Sequence, residues 1–99
     1  MARFDVHRGV GQADLVLDCQ SDLLRGLNTR FVVPLQRPGN APLPARRLNP
    51  TFEIDGQTYV MVTQFAAAIA VRDLGEVVAS LKAEDATITN ALDMLISGY

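Results

Sequence analysis

The sequence has few of the residues that build disulfides, metal sites or catalytic pairs. Cys19 is its only cysteine and His7 its only histidine among 99 residues. A lone cysteine cannot form an internal disulfide, and one cysteine with one histidine is too little for a structural zinc site. A fold without disulfides suits a reducing compartment. We therefore expect a cytoplasmic protein with no metal and no cofactor.

Long apolar segments are also absent. The longest uninterrupted run, residues 65–71, has seven residues and is rich in alanine, whereas a membrane span needs about 18. The N-terminus has no apolar signal region and passes directly into an alternating pattern. These features predict neither a membrane span nor export.

Catalytic motifs are missing as well. The chain has no Gly-rich phosphate loop, no Gly-x-Ser-x-Gly and no His-Glu-x-x-His. Glu84 and Asp85 are adjacent, so on a helix their side chains point about 100° apart and cannot face each other. Glu53 and Asp55 share a strand face beside a turn, where carboxylates commonly serve solubility. The sequence therefore predicts a protein that is not an enzyme.

Charge is distributed unevenly along the chain. Residues 1–50 have a net charge of +3 and residues 51–99 a net charge of −5, which gives −2 overall. This balance argues against general nucleic-acid binding, because phosphate contacts need clustered Lys and Arg. The acidic half suits a basic patch on a protein partner, although a solvated surface is the more common explanation of such a charge distribution.

Short alternating segments indicate β-strands in the first part of the chain. Around Phe4 and Val6 the pattern alternates, so these two residues should point inward and His7 should be solvated. The alternation returns at residues 14–19, which are expected to divide between two faces. We expect an inward face of Leu15, Leu17 and Cys19, with Asp14 and Asp18 facing outward.

The middle of the chain combines strands with a long loop. Residues 30–36 read as a strand, and Pro34 within it predicts an edge strand or a bulge. Residues 37–50 contain four prolines and no periodicity, and they include the adjacent pair Arg46 and Arg47. Asp55-Gly56 then lies between two β-rich segments and predicts a hairpin. Residues 63–72 fit a helix or a strand, and residues 74–80 suggest a turn and a short extended piece.

The last twenty residues show the clearest helical periodicity. Their apolar residues follow the spacing of one helix face, and Gly98 should stop the helix. The stripe indicates a helix docked on a sheet, or alternatively a helix whose last turn and tail face a partner. Five or more strands followed by one helix predict a single α+β domain, mostly β, built as a small antiparallel sheet or barrel. The stripe consists of Ile88, Ala91, Leu92, Leu95 and Ile96.

Leu23 and Leu24 are unusual because they lie in an irregular segment, residues 20–28, that is otherwise rich in turn and cap formers. Two adjacent large apolar side chains cannot easily face the same way in an extended chain. One of them could plug the core. A leucine left partly exposed in such a loop is a candidate contact residue.

Taken over nearly its whole length, the chain resembles the CcdB family of toxins from bacterial toxin–antitoxin modules. The resemblance implies an SH3-like barrel (CcdB/MazF-like) with a C-terminal α-helix that forms a homodimer. It also implies a type II toxin that binds the A subunit of DNA gyrase and traps the cleaved complex. A CcdA-like antitoxin would neutralise it, and nucleic acid would be bound only through that antitoxin. The matching segments are residues 16–24, 30–35, 48–50 with the following hairpin, 68–78 and the closing helix.

The same resemblance assigns candidate site residues. Where Ser97 stands, well-known family members have a tryptophan that stacks on an arginine of gyrase, and serine cannot stack. Tyr99 could supply a ring two residues later. The implied gyrase-binding residues are Leu23, Leu24, Asp93, Ser97, Gly98 and Tyr99.

Two alternatives remain open from the sequence. The chain could be an antitoxin-binding dimer that tunes transcription without poisoning gyrase. It could also be a toxin that cleaves messenger RNA on the same fold, which would need an arginine and an acid/base. No partner base is apparent for the available arginines, which are Arg25, Arg30, Arg46 and Arg47.

Overall fold

A computed structural model describes residues 2–9, 11 and 13–98 of the chain. Within these residues seven short β-strands precede one α-helix, as the sequence predicts. The helix, α1, spans Asp85–Ser97 and ends at Gly98, whose φ of 81° places it in the left-handed region. The strands are β1 (Asp5–Arg8), β2 (Leu15–Asp18), β3 (Thr29–Gln36), β4 (Thr51–Ile54), β5 (Gln57–Met61), β6 (Ala67–Ala70) and β7 (Val77–Ser80).

The strands form one antiparallel sheet in the order β4-β5-β3-β2-β1-β7, and β6 also pairs with β3. The eight-residue strand β3 is central: it pairs with β2 along one edge and with both β6 and β5 along the other. Splitting one edge between two partners makes the sheet a half-barrel rather than a flat layer. The expected mostly-β architecture with a C-terminal helix is confirmed.

Pro34 lies in the middle of this central strand, so the expectation of an edge strand is wrong. The structure shows why a proline is accepted there. On the second edge of β3, β6 pairs only as far as Val32 and β5 begins only at Leu35. Pro34 faces the gap between them, where its carbonyl accepts a hydrogen bond from the Val62 N–H at 3.0 Å. No ladder position therefore needs the N–H that proline lacks.

The dry core lies between one face of the sheet and the first half of α1. Phe4 and Val6 point into it, as predicted, and Leu15, Leu17 and Cys19 form the expected inward face of β2. The other buried residues of this core include Ile88 and Ala91 of α1, together with Leu81, Val33, Leu35, Phe52, Ile54 and Met61.

The opposite face of the sheet is also largely buried, and it mixes polar side chains with valines: His7 pairs across the sheet with Val16, and Asp18 with Val32. His7 is 1% exposed rather than solvated, and the Gly75 backbone lies against its ring. Its Nδ1 lies 2.9 Å from the carbonyl oxygen of Gly75, and since a carbonyl only accepts, Nδ1 holds the proton. Asp18, expected on an outer face, is completely buried beside Arg30. The alternating pattern correctly divided β1 and β2 into two faces, but it did not predict that both faces of the sheet are buried.

The hairpin and the long loop lie where the sequence places them. Asp55 and Gly56 have φ values of 52° and 77°, which is the turn that a tight hairpin between β4 and β5 requires. Residues 63–72, left open between helix and strand, form a 3₁₀ turn followed by β6. Residues 37–50 contain one 3₁₀ turn, Pro38–Asn40, and otherwise form a long irregular loop.

Candidate partner-binding site

The leucine loop, residues 21–28, presents apolar side chains to solvent. Ser21 starts it by accepting a hydrogen bond on Oγ from the Leu23 N–H at 3.2 Å, and a single 3₁₀ turn, Asp22–Leu24, follows. Leu23 is 94% exposed and Leu24 50% exposed, so neither plugs the core. Leu27 adds a third exposed leucine, at 51%, which sequence reasoning missed. Three exposed leucines in five residues form a patch larger than the single exposed side chains common on any surface.

A buried polar network lies directly beneath this loop. Arg30 donates from Nε to Asp18 Oδ2 at 2.9 Å, and its Nη2 lies 2.6 Å from the same oxygen, with both side chains fully buried. The other carboxylate oxygen of Asp18 accepts the Gln20 backbone N–H at 3.0 Å. Gln20 in turn donates from Nε2 to the Leu24 carbonyl at 3.1 Å. The backbone that carries the exposed leucines is therefore hydrogen-bonded to a buried network.

The second apolar surface is the last turn, residues 94–98, at the end of α1. Met94, Leu95 and Ile96 are 37%, 42% and 75% exposed, although Leu95 and Ile96 continue the predicted stripe. Gly98 closes the helix by donating its N–H to the carbonyls of Asp93 and Met94 at 3.1 and 3.2 Å. The helix thus docks through its first half and leaves its end uncovered.

The predicted gyrase-binding residues fall into two groups. Leu23 and Leu24 lie together in the leucine loop. Asp93, Ser97 and Gly98 lie together at the end of α1, where all three are exposed. Among the described residues, no hydrogen bond or ion pair links one group to the other. Tyr99 lies outside the described residues.

Phe65 and Leu43 are exposed apolar residues that lie outside these two surfaces. Phe65, in the 3₁₀ turn Thr63–Phe65 that contacts α1, is 54% exposed. Leu43 is 94% exposed but stands alone in the long loop of residues 37–50. Neither was singled out from the sequence. The alanine-rich run around Phe65 and the prolines around Leu43 gave no periodicity from which exposure could be inferred.

The surroundings of Cys19 and Arg30 limit the chemistry of these two side chains. Burial raises the pKa of the Cys19 thiol to about 12, and the neighbouring Asp18 carboxylate adds to the increase. The thiol is therefore neutral and a poor nucleophile at neutral pH. Of the four candidate arginines, Arg30 is neither in a loop nor accessible, which corrects its place among residues that could contact RNA. No group of three metal-ligating side chains occurs within residues 2–9, 11 and 13–98.

Within that same part of the chain, no helix has both the length and the hydrophobicity needed to cross a membrane. The surface of the described region has three notable features: the leucine loop, the last turn of α1, and the long loop of residues 37–50. Arg46 and Arg47 are exposed in that loop, and Arg47 has a positive φ of 66°. Such surfaces suit contact with a macromolecule better than binding of a small substrate.

Comparison with known proteins agrees with this geometry. Among solved structures, the chain is similar to an endoribonuclease in complex with its cognate antitoxin from Mycobacterial species, with a TM-score of 0.77 and 16% sequence identity. The match covers 97% of this chain and 94% of that one, and at such low identity it shows the fold alone. A comparison with curated protein sequences gave no match. The family model described as CcdB protein matches residues 3–98. The chain therefore belongs to the CcdB family, the toxins of bacterial toxin–antitoxin modules.

Proposed function

We propose that this chain is a type II toxin that inhibits DNA gyrase: it binds the enzyme's A subunit, which traps the cleaved complex. The observation that supports this most directly is the leucine loop. Leu23 is almost fully exposed although the loop beneath it is held by buried hydrogen bonds. A surface that is apolar, exposed and fixed is typical of a protein-binding site.

The last turn is the second part of the proposed surface. Ile96 is 75% exposed, and Ser97 and Gly98 follow it at the end of the helix. In the mechanism we propose, the toxin acts as a homodimer whose two helix ends enter the gyrase dimer while the DNA is cut. Dimerisation would also stabilise a small domain by burying exposed apolar side chains twice.

A CcdA-like antitoxin is the proposed second partner. The similar solved structure is of an endoribonuclease with its cognate antitoxin, and membership of the CcdB family supports an antitoxin partner here. The antitoxin would cover the toxin and would supply the only contact with nucleic acid. Neutralisation requires that the antitoxin and gyrase compete for the toxin, or that one displaces the other from it.

We propose a mechanism without hydrolysis, even though the similar fold belongs to an endoribonuclease. Arg30 is fully buried and paired with Asp18, so it is not free to contact a phosphate. His7 is also buried, with its Nδ1 bound to a backbone carbonyl. Single-stranded RNA incubated with the protein should remain intact. Cleavage that disappeared in Arg46→Ala would overturn this assignment.

One specific observation favours a second function. Ser97 stands where stacking on a gyrase arginine would need an aromatic ring, and it is an exposed serine at the end of α1. A family member without that contact could bind antitoxin and tune transcription while leaving gyrase unaffected. This alternative uses the same fold, dimer and antitoxin, and differs only in whether gyrase is bound.

A gyrase supercoiling and DNA-cleavage assay with purified protein separates the two. The proposal predicts that supercoiling falls and that linear DNA accumulates when the protein is present, and that added antitoxin reverses both effects. The isolated A subunit should bind the protein, which distinguishes direct inhibition from DNA binding. If supercoiling and cleavage are unaffected at concentrations where the antitoxin binds tightly, the regulatory alternative replaces the gyrase proposal.

A further inference from the structure

One buried amide side chain holds the middle of the leucine loop from below. Gln20 is 9% exposed, and its side-chain oxygen, its side-chain nitrogen and its backbone N–H each form a hydrogen bond. Its Oε1 accepts the Phe31 N–H from β3 at 3.0 Å, and its Nε2 donates to the Leu24 carbonyl at 3.1 Å. Its own N–H is bound to Asp18 at 3.0 Å. Gln20 therefore connects the exposed loop to the two central strands.

The Leu24 carbonyl is the point at which this connection meets the loop. It also accepts the Leu27 N–H at 3.1 Å, while the Leu24 N–H donates to the Ser21 carbonyl at 3.0 Å. The bond from Gln20 is the one of these that reaches the loop from outside it. Since Leu23 is almost fully exposed, its own side chain cannot fix its position, and the backbone must do so.

The long loop of residues 37–50 uses the same device. Asn49 is 7% exposed, and its Oδ1 accepts the Ala45 N–H at 2.9 Å. Its Nδ2 donates to the Met61 carbonyl at 3.0 Å and to Gln64 Oε1 at 2.7 Å. Two loops are thus held by two buried amides. Only the loop above Gln20 presents a cluster of leucines, and this makes Asn49 a matched control.

From these contacts we propose that Gln20 is a positioning residue for partner binding. Its Nε2–H holds the Leu24 carbonyl and thereby presents the side chains of Leu23 and Leu24 in a single arrangement. When a partner buries these leucines, little further conformational entropy of the loop is lost, because the loop is already ordered in the free protein. The binding consequence depends on the proposed gyrase function, whereas the effect on the loop does not.

Gln20→Glu tests the bond with the smallest change. At a pH where the new carboxyl is ionised, the substitution keeps an oxygen for the Phe31 N–H but replaces the donor that faces the Leu24 carbonyl with a second oxygen. Hydrogen exchange of the Leu24 and Leu27 amides in the free protein should accelerate about fivefold to tenfold, as expected for one lost hydrogen bond. Exchange of the Asn49 amide, which donates to Ala45, should not change. Asn49→Asp should give the opposite pattern.

The second measurement is the affinity of each variant for the purified A subunit of gyrase. Gln20→Glu should weaken binding about fivefold or more, in proportion to the loosened loop, while Asn49→Asp should bind like wild type. Gln20→Met, which has similar length and no added charge, should weaken binding in the same way. If wild type fails to bind this gyrase subunit, the proposed function is wrong, and the exchange data still decide the positioning role.

Three outcomes would overturn the positioning role. The first is unchanged exchange at Leu24 and Leu27 in Gln20→Glu. The second is a loosened loop with undiminished affinity for gyrase. The third is a failure of both Gln20 variants to fold when Asn49→Asp folds, since Gln20 would then act on the whole fold and not on the loop.

Discussion

The two halves of α1 share one apolar stripe, but the first half is buried and the second half is exposed. In the first half, Ile88 and Ala91 are completely buried against the sheet. In the second half, Leu95 is 42% and Ile96 is 75% exposed. Both halves have the same 3.6-residue periodicity, so periodicity predicts which residues share a face. It does not predict what, if anything, covers that face.

The difference between the halves separates stability from recognition. A side chain already buried in the free protein contributes to folding and cannot also be buried on a partner. A side chain left exposed contributes little to folding, and burying it on a partner recovers about 1.5–3 kcal/mol for a residue such as leucine or isoleucine. The first half of α1 should therefore behave as core and the last turn as a binding surface.

The largest expected effect is on the stability of the two isoleucine variants. Ile88→Ala removes a fully buried side chain and should lower the free energy of unfolding by about 2–5 kcal/mol. Ile96→Ala should change it by less than about 0.5 kcal/mol, as is usual at exposed positions. Urea unfolding of both variants measures the difference. Equal costs would mean that the last turn is packed in the free protein, either within the chain or in a dimer.

Protein concentration provides the control for that result. If Ile96 is buried between two copies of the chain, the cost of Ile96→Ala will depend on concentration, because dissociation accompanies unfolding. If the cost is small at every concentration, Ile96 is exposed in solution.

A smaller effect is expected at Ser97, where the question is recognition alone. Ser97→Trp places a ring on the exposed last turn and should tighten binding to gyrase by about 1–2 kcal/mol if it stacks on an arginine. Titration of the labelled gyrase subunit measures the change. Stability should stay within about 0.5 kcal/mol of wild type, because the site is exposed. No gain in affinity would indicate that this helix end does not meet such an arginine.

Gly98→Ala should have a local effect of about 1 kcal/mol, the cost of placing a residue with a Cβ in the left-handed region. The φ of Gly98 is 81°, and no atom lies within 4 Å of the position that a Cβ would occupy, so the cost comes from the backbone and not from a clash. Hydrogen exchange should accelerate in the last turn more than in the first half of α1. Uniform acceleration along the helix would show that the two halves unfold together.

The secondary structure and the dry core follow from the sequence, and the reasons are local. Alternation placed Val6 and Leu17 correctly, Asp55-Gly56 specified the hairpin, and Gly98 specified the end of the helix. These features depend on residues close in sequence, where backbone preferences and side-chain period act directly. The family resemblance was also visible in segments distributed over nearly the whole chain.

The errors concern contacts between distant residues. His7 and Asp18 were expected in solvent because the alternating pattern placed them opposite apolar neighbours. Each instead has a buried partner from a distant part of the chain: the Gly75 carbonyl contacts His7, and Arg30 pairs with Asp18. Pro34 sits in a central strand because two different strands end and begin beside it. None of these partners is adjacent in sequence, so no local pattern could indicate them.

The candidate site was predictable only in part. Leu23 and Leu24 were anomalous in a segment rich in turn formers, and the structure places both on the surface. That neither of them plugs the core, and that Leu27 joins them, depends on how the loop is held. Gln20 gave no signal, because a single glutamine after a strand is common, and its importance lies in contacts to Phe31 and Leu24.

A further test concerns the core between the sheet and α1, to which Cys19 and Ile88 both belong. Burial raises the pKa of Cys19, which lies just before Gln20, to about 12 from an ordinary value near 9. The native thiol should therefore react slowly with a thiol reagent at pH 8 and rapidly in urea. Between pH 9 and 12 the unfolded chain loses this proton and the native state keeps it, so stability should fall as pH rises.

The control for Cys19 is Cys19→Ser, whose hydroxyl does not titrate in this range. The fall in stability above pH 9 should be smaller in that variant than in wild type. Fast modification of native wild type at pH 8 would mean that the core around Cys19 opens readily in the native state.

The central claim is that the leucine loop is a specific partner surface, and two leucines of equal exposure test it directly. Leu23 and Leu43 are both 94% exposed, in different loops. Affinity for the purified A subunit of gyrase should be compared in wild type, Leu23→Asp and Leu43→Asp. We expect Leu43→Asp to bind like wild type and Leu23→Asp to bind at least about tenfold more weakly, since the leucine's burial energy is lost and a charge is added. Equal binding by all three proteins, or a loss in Leu43→Asp alone, would contradict the account.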